Sequence, residues 1–525
     1  QKESPIGTAG STPIYLSAVN LAVDEIRKQQ MQFGGLRPEM EGEAYGNALF
    51  NVVETAYAAE VARKAGIKPS EEEMIGLFKN SLDKQVESLR FQLITQKKLK
   101  PDATSADFEN VFKKEAGKTV QEAKDQALQG FKDALQDPAK RNQVEVDAAL
   151  TIYGQRLKNE LKFTDADLKM ARDNLVVKRI FTKDPAKMAK AQEMLKSGKP
   201  FETAMETYSE DPPEPKKALR DSTQNLPVAM VLGTKKAALK DAKISTVNGP
   251  YVTEDGQALY LLVKRTVNPI KDFEKVKATI RDEVASQAGM QVRMEEIAEV
   301  RQGGVKWTDD GAKTLYEIYK DSFRKGDQAQ LARHEQVVSS PAGDSELILK
   351  AQQIALSRLM KAWTPEDKKK KLDLILTAYS NILDRTESVA MRLELASLLI
   401  QAKDKRALDQ LGAAINANGG FEMENQANFG NIATTLLTLK NSGIAAANEV
   451  AALQAKLDQW KKDKIAYDKD MATQKAEAEK AQKQLDEEQR KAAEEAKKKA
   501  DQEKKAAAPP AGKAPLPSSK DLTGK

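Results

Sequence analysis

The sequence predicts a mainly helical protein with one small α+β domain set into it. Three observations carry that expectation. Apolar residues recur at the helical spacing of three and four along most of the 525 residues. One window, from Leu175 to about Arg265, instead holds short β-branched and apolar runs bounded by Pro and Gly. The last part of the chain loses its apolar residues and becomes Ala, Lys, Glu and Gln, the composition of a solvated helix. A single core rarely exceeds roughly 250–300 residues, so two or more domains are expected.

Residues 1–13 are polar and carry Gly, Ser, Thr and Pro, the texture of a leader or linker. From Ile14 to Gln32 the pattern fits a short strand or a first helix. In Asn47–Ala65 the residues Leu49, Phe50, Val53, Ala56, Tyr57 and Val61 share one helical face, and Gly66 is a natural stop. Ser70 can cap the next helix, with Glu73 closing a capping box. Further helices are expected over 70–98, 105–115, 119–136 and 141–161, and Thr164 starts another. At Leu175 the texture changes. Val176–Phe181 reads as a strand. Asp184-Pro185 opens a helix that Gly198 ends, and a short helix follows over Phe201–Tyr208. Asp211–Pro215 is irregular because consecutive prolines suit neither helix nor central strand. Pro250–Thr253 and Ala258–Arg265 form a hairpin around Glu254-Asp255-Gly256-Gln257. Phe273–Val300 returns to helix.

Residues 311–460 read as six helices of 12–19 residues with short joints such as Trp363-Thr364-Pro365, the pattern of stacked helical hairpins. Residues 461–505 form the Ala/Lys/Glu-rich helix, and 506–525, with four prolines, are expected to be disordered.

Composition narrows the function. The chain has no Cys and one His, His334. Thiolate catalysis, disulfides and Cys-based metal sites are excluded, and no metal or cofactor site is expected. The net charge of +6 is small for this length, and most of it lies beyond Lys461, where 17 basic residues face 13 acidic ones. Nothing there marks a nucleic-acid face. No apolar run reaches the roughly 18–20 residues that span a bilayer. The chain starts at Gln1, and membrane association is expected only through a segment preceding it.

The pieces between 175 and 268 occur in an order that resembles a parvulin-type peptidyl-prolyl isomerase domain. They are the strand Val176–Phe181, the helix end Met194–Phe201, the segment Ala204–Asp211, Lys243-Ile244-Ser245 with Gly249–Val252, and the strand Leu259–Lys264. The stretch Leu49–Glu54, continued by Ala65–Met74, is similar to the N-terminal chaperone region of the SurA/PpiD foldases. The resemblance covers roughly residues 14–300. It implies a division into 1–13 (leader or linker), 14–174 (helical chaperone region), 175–268 (parvulin-like domain) and 269–310 (a helix returning to the chaperone region). A TPR-like array over 311–460, the charged helix 461–505 and the tail 506–525 complete it. It also implies a periplasmic or extracytoplasmic location, an inner-membrane anchor, and unfolded or nascent secreted polypeptide as ligand.

Members with isomerase activity generally carry one His in the first strand of the domain and one in the last. Here those positions fall near Arg179 and near Leu259 or Tyr260, so no catalytic residue is assigned. The segment Glu214–Arg220 also replaces a Gly-rich loop of the family. Candidate peptide-binding residues on the N-terminal helices are Phe50, Val53, Tyr57, Phe78, Leu82, Leu89 and Phe91. In the parvulin-like domain they are Met205, Tyr208 and Tyr260. The expected function is a holdase with a degenerate isomerase domain. Its rivals are an active isomerase with a non-His pocket, and an adaptor that docks secretion machinery or an envelope complex through 311–460. His334 reads as a surface helix position, Met290 and Met294 as core, and Lys368–Lys371 as a solvated face.

Overall fold

The computed structural model describes residues 3–31, 35–211, 223–253, 256–321, 328–419 and 426–506. It divides into two compact units, Gln1–Thr386 and Glu387–Lys525. The chain is mainly helical with a small α+β part, as expected. The division falls inside the stretch 311–460 that the sequence groups as one array. The proline-rich segment 212–222, the turn at Glu254-Asp255 and the expected disordered tail lie outside the described residues.

The first unit opens with β1 (Gly7–Ala9) and β2 (Thr12–Ile14), so the stretch read as a leader is instead structured. β1 lies between β2 and β7 (Val305–Trp307) in an antiparallel sheet. Three-residue strands carry no usable periodicity, which is why the sequence hides them. The turn between β1 and β2 is pinned by Glu60: its Oε2 accepts from Ser11 Oγ and Thr12 Oγ1, each at 3.0 Å.

Helices α1 (Leu16–Met31), α2 (Glu41–Lys64), α3 (Glu71–Thr95), α4 (Ser105–Ala116), α5 (Val120–Ala134) and α6 (Pro138–Glu160) follow. Their starts are set by side chains. The capping box expected at Ser70 and Glu73 is present, and Thr104 with Asp107 and Thr119 with Glu122 repeat it. α2 is buried on most sides because it packs against helices from both ends of the unit. Gly42 and Gly46 sit where a Cβ would meet the Lys350 carbonyl oxygen at 2.8 Å and the Tyr319 ring at 2.4 Å. Small residues one turn apart therefore let neighbouring elements approach closely.

After the short α7 (Asp165–Met170), the α+β part begins with β3 (Asn174–Thr182), α8 (Pro185–Lys196) and α9 (Phe201–Tyr208). It continues with β4 (Gln224–Pro227), α10 (Val228–Val231), β5 (Val247–Thr253) and β6 (Gly256–Thr266). The antiparallel sheet has the order β4-β3-β6-β5. Side chains alternate between its two faces. Ile180 and Leu259 pack under α8 and α9 with Met188, Ala191, Phe201 and Met205. Leu175, Val177, Tyr260 and Leu262 lie on the other face with Val228 and with Ile280 of α11 (Phe273–Gln302). α11 then runs back along α2 and α6, so helices from before and after the α+β part form one frame.

The unit ends with α12 (Asp310–Lys320), α13 (Gln328–Ser339), α14 (Glu346–Ala362), α15 (Pro365–Lys370) and α16 (Leu372–Leu383). His334 is fully buried, contrary to the surface position expected of it. It shares a helical face with Val338, also buried, and its Nδ1 lies 2.8 Å from the Gln330 carbonyl oxygen one turn back. Burial pushes its pKa down.

In the second unit α17 (Val389–Gln401), α18 (Arg406–Asn418) and α19 (Gln426–Ser442) pack with the start of α20 (Ala447–Ala506). Leu395, Leu411, Ile432, Leu436 and Leu457 fill that core. Past Trp460, which faces Phe429 at 6.4 Å, Ile465 and Met471 are exposed. Among the described residues no helix is long and apolar enough to cross a membrane.

Candidate functional site

The positions that resemblance marks on the first and last strands do meet. Arg179 on β3 is the cross-strand partner of Tyr260 on β6. Directly opposed residues share a face, so both point away from α8 and α9. They open onto a cleft of about 480 Å³ between the sheet and the helical frame. β5 contributes Val252 and Thr253, α2 contributes Glu54 and Ala58, α6 contributes Asp147 and Leu150, and α11 contributes Gln291, Met294, Glu295 and Arg301.

The charges of the cleft are mostly matched. Arg179 grips Asp211 through Nε at 3.0 Å and through a second bond from Nη2. Burial works against the guanidinium charge, but the Asp211 carboxylate outweighs it and the pKa is raised. Arg179 also lies 5.1 Å from the Phe181 ring. Lys236 pairs with Glu295 at 3.1 Å, and the second Glu295 oxygen accepts from the Lys235 amide at 2.9 Å. Arg301 pairs with Glu54. Asp147 is different: the donor to its carboxylate among the described residues is the neutral Gln143 amide, at 3.2 Å. Burial pushes the Asp147 pKa up.

These groups bind better than they transfer protons. A guanidinium held by a carboxylate is no base, and burial pushes the Tyr260 phenol above its usual range, so it stays protonated near neutrality. The imidazole of His334 is on α13, outside the α+β part. Among the described residues no three His, Asp or Glu side chains gather as a metal ion would need. The Thr253 hydroxyl is buried at the cleft edge with no hydrogen-bond partner among the described residues, a polar atom that a bound backbone could satisfy.

A second groove, of about 430 Å³, lies along the same helix and shares Gln291 with the first. Met230 and Met290 line it. Met290 is 51% exposed and Met294 46%, so neither is the core residue the sequence suggested. α11 is 30 residues long and meets different neighbours along its length, so its exposed face cannot be read from spacing alone.

The other candidate residues scatter. Val53 and Tyr57 are buried in the α2 core and present no surface to a ligand, which corrects their assignment to a groove. Phe50 is half-buried and stacks on Tyr316 at 6.1 Å, and Phe78 stacks on Phe131 at 4.1 Å. Leu82 and Leu89 are half-buried on α3, while Phe91 is 71% exposed. Met205 is buried and Tyr208 half-buried under α8, on the sheet face opposite Tyr260, so these three do not form one pocket. Leu259 also faces α8 and α9, which leaves Tyr260 as the last-strand residue at the cleft. Asp147, Lys236, Glu295 and Arg301 escaped sequence reasoning because they are far apart in the chain and charged residues are common in it.

No family model matches the chain, and no curated protein does. Among solved structures it is similar to the peptidyl-prolyl isomerase PrsA of Bacillus cereus, at 17% identity over 61% of this chain and 100% of that one, with a TM-score of 0.23. It is also similar to the foldase protein PrsA of Streptococcus pneumoniae, at 13% identity over 51% and 90%, with a TM-score of 0.20. A SurA-like chaperone of Campylobacter jejuni matches at 9% identity over 58% and 99%, with a TM-score of 0.20. These are proteins of the kind that residues 14–300 resemble.

Proposed function

We propose that the chain is a protein-folding factor that holds unfolded polypeptide in the cleft between its α+β part and its helical frame, without isomerising it. The observation that carries this reading is the pair Arg179 and Tyr260. The strand positions where resemblance expects imidazoles hold an ion-paired guanidinium and a protonated phenol, beside an exposed methionine surface on α11. Methionine adapts its shape to many apolar partners, as an unselective polypeptide site requires. The proposed place of this work is the export side of a membrane, on newly secreted chains, a reading that the resemblance of residues 14–300 supports.

Two assays test this together. At equimolar ratio the purified chain should suppress light scattering by a chemically denatured client. A protease-coupled Pro-peptide assay should run at the uncatalysed rate, set by a barrier of about 18–20 kcal/mol. Acceleration that Tyr260→Ala removes would establish an active isomerase instead. An adaptor reading is favoured by one feature. α20 is a helix of 60 residues, about 90 Å at 1.5 Å per residue, most of it beyond the packed core of the second unit. Capture of the same envelope partners by chains with and without 461–525 would remove the tail from that reading.

A further inference from the structure

We propose that the cleft selects, among unfolded polypeptides, segments in which apolar side chains flank a lysine or arginine. The cation seats at Asp147 and the apolar side chains lie on Met290 and Met294. The proposal rests on the polypeptide-binding reading above and names the class of segment it takes.

The charge pattern on the cleft wall carries it. The three cations there each have their own carboxylate: Arg179 has Asp211, Lys236 has Glu295, and Arg301 has Glu54. Those pairs cancel. The charge that remains is the Asp147 carboxylate, which no cation approaches among the described residues and which only the Gln143 amide bonds. Asp147 lines the cleft as an exposed residue, so an incoming cation can reach it, and its unmatched carboxylate beside protein surface attracts an opposite charge more strongly than the same group does in bulk water. It repels an acidic segment by the same physics. The cleft wall desolvates the Asp147 carboxylate enough to disfavour its charged form although the residue is exposed, and a bound cation would oppose that.

The apolar half of the recognition lies next to it. Met294 lines the same cleft as Asp147, Met290 lies one helical turn before it, and Gln291 belongs to both grooves. Met230 on α10, 38% exposed, extends the surface across the second groove. Together these make a methionine surface with Asp147 at the end in the first cleft, while the second groove carries one charge of each sign, Glu283 and Arg172. Such a surface fits the chemistry of an apolar segment with a basic residue and disfavours an acidic one.

The test uses the full chain and fluorescein-labelled extended peptides of about twelve residues. They share one Leu/Phe-rich frame and differ at a central residue: Lys, its neutral isostere norleucine, or Glu. Fluorescence anisotropy should give the Lys peptide a Kd about five-fold tighter than norleucine, and the Glu peptide one about five-fold weaker. Asp147→Asn should equalise Lys and norleucine, and a far-UV circular dichroism spectrum and melting temperature matching the native chain show that the variant is folded. Asp147→Lys should reverse the order. Met290→Ser with Met294→Ser should weaken all three alike. Equal binding of the three peptides, or a Lys preference that survives Asp147→Asn, overturns the proposal and leaves the holdase reading standing. No binding of any peptide by the native chain removes both.

Discussion

At the scale of residues, the fold turns on a few buried charges. Glu60 accepts bonds from Arg63, Ser11 and Thr12, and the Arg63 guanidinium foremost holds its carboxyl at about 2 against the opposing effect of burial. The folded pKa is depressed, so this stabilisation is full above about pH 4.5 and is lost as pH falls toward 2. Glu60→Gln should therefore lower the stability of the first unit by about 2 kcal/mol at neutral pH, and the two proteins should converge near pH 2. Thermal unfolding followed across that range checks it; a constant gap at every pH would contradict it. Arg179→Ala leaves Asp211 without its cation and should cost about 2 kcal/mol. That is less than a fully buried pair would cost, because about a quarter of the Arg179 side chain is exposed. Urea denaturation measures it. The sequence marks Arg179 through the strand it sits in, but not its partner: Asp211 is 32 residues away, and no spacing rule joins them. His334 was misplaced for a related reason. A lone polar residue on a helix looks exposed until the packing of the neighbouring helices is known.

At the scale of elements, local chemistry was legible and close approach was not. The Ser70 and Glu73 cap, the Asp184-Pro185 helix start and the stop at Gly198 follow from residues next to one another, and all stand in the structure. Gly42 and Gly46 look like weak points in a helix, because glycine costs about 1 kcal/mol there relative to alanine. They are instead where α14 and Tyr319 come near α2. Gly42→Ala should thus lower stability by about 1–3 kcal/mol despite its better helix propensity, since a backbone carbonyl must move. A stabilised variant in chemical denaturation would contradict that. The short strands β1 and β7 were invisible in sequence because three residues show no alternation, and 295 residues separate Ala9 from Val305.

At the scale of the whole molecule, the order helices, α+β part, helices was legible from the change of texture at Leu175 and the return to helix at Phe273. The boundary between units was not: the helical texture runs on through Thr386, and only packing decides where one unit ends. The cleft is likewise a property of the folded first unit, since its walls come from β3, β5, β6, α2, α6 and α11. The central claim is that this cleft holds unfolded polypeptide on the methionine surface of α11. The most direct measurement is light scattering by a denatured client mixed one-to-one with the native chain, and with a variant carrying Met290→Ser and Met294→Ser. Suppression by the native chain that falls by at least about half in the folded variant is the expected result. No suppression by the native chain, or equal suppression by both, would contradict the account.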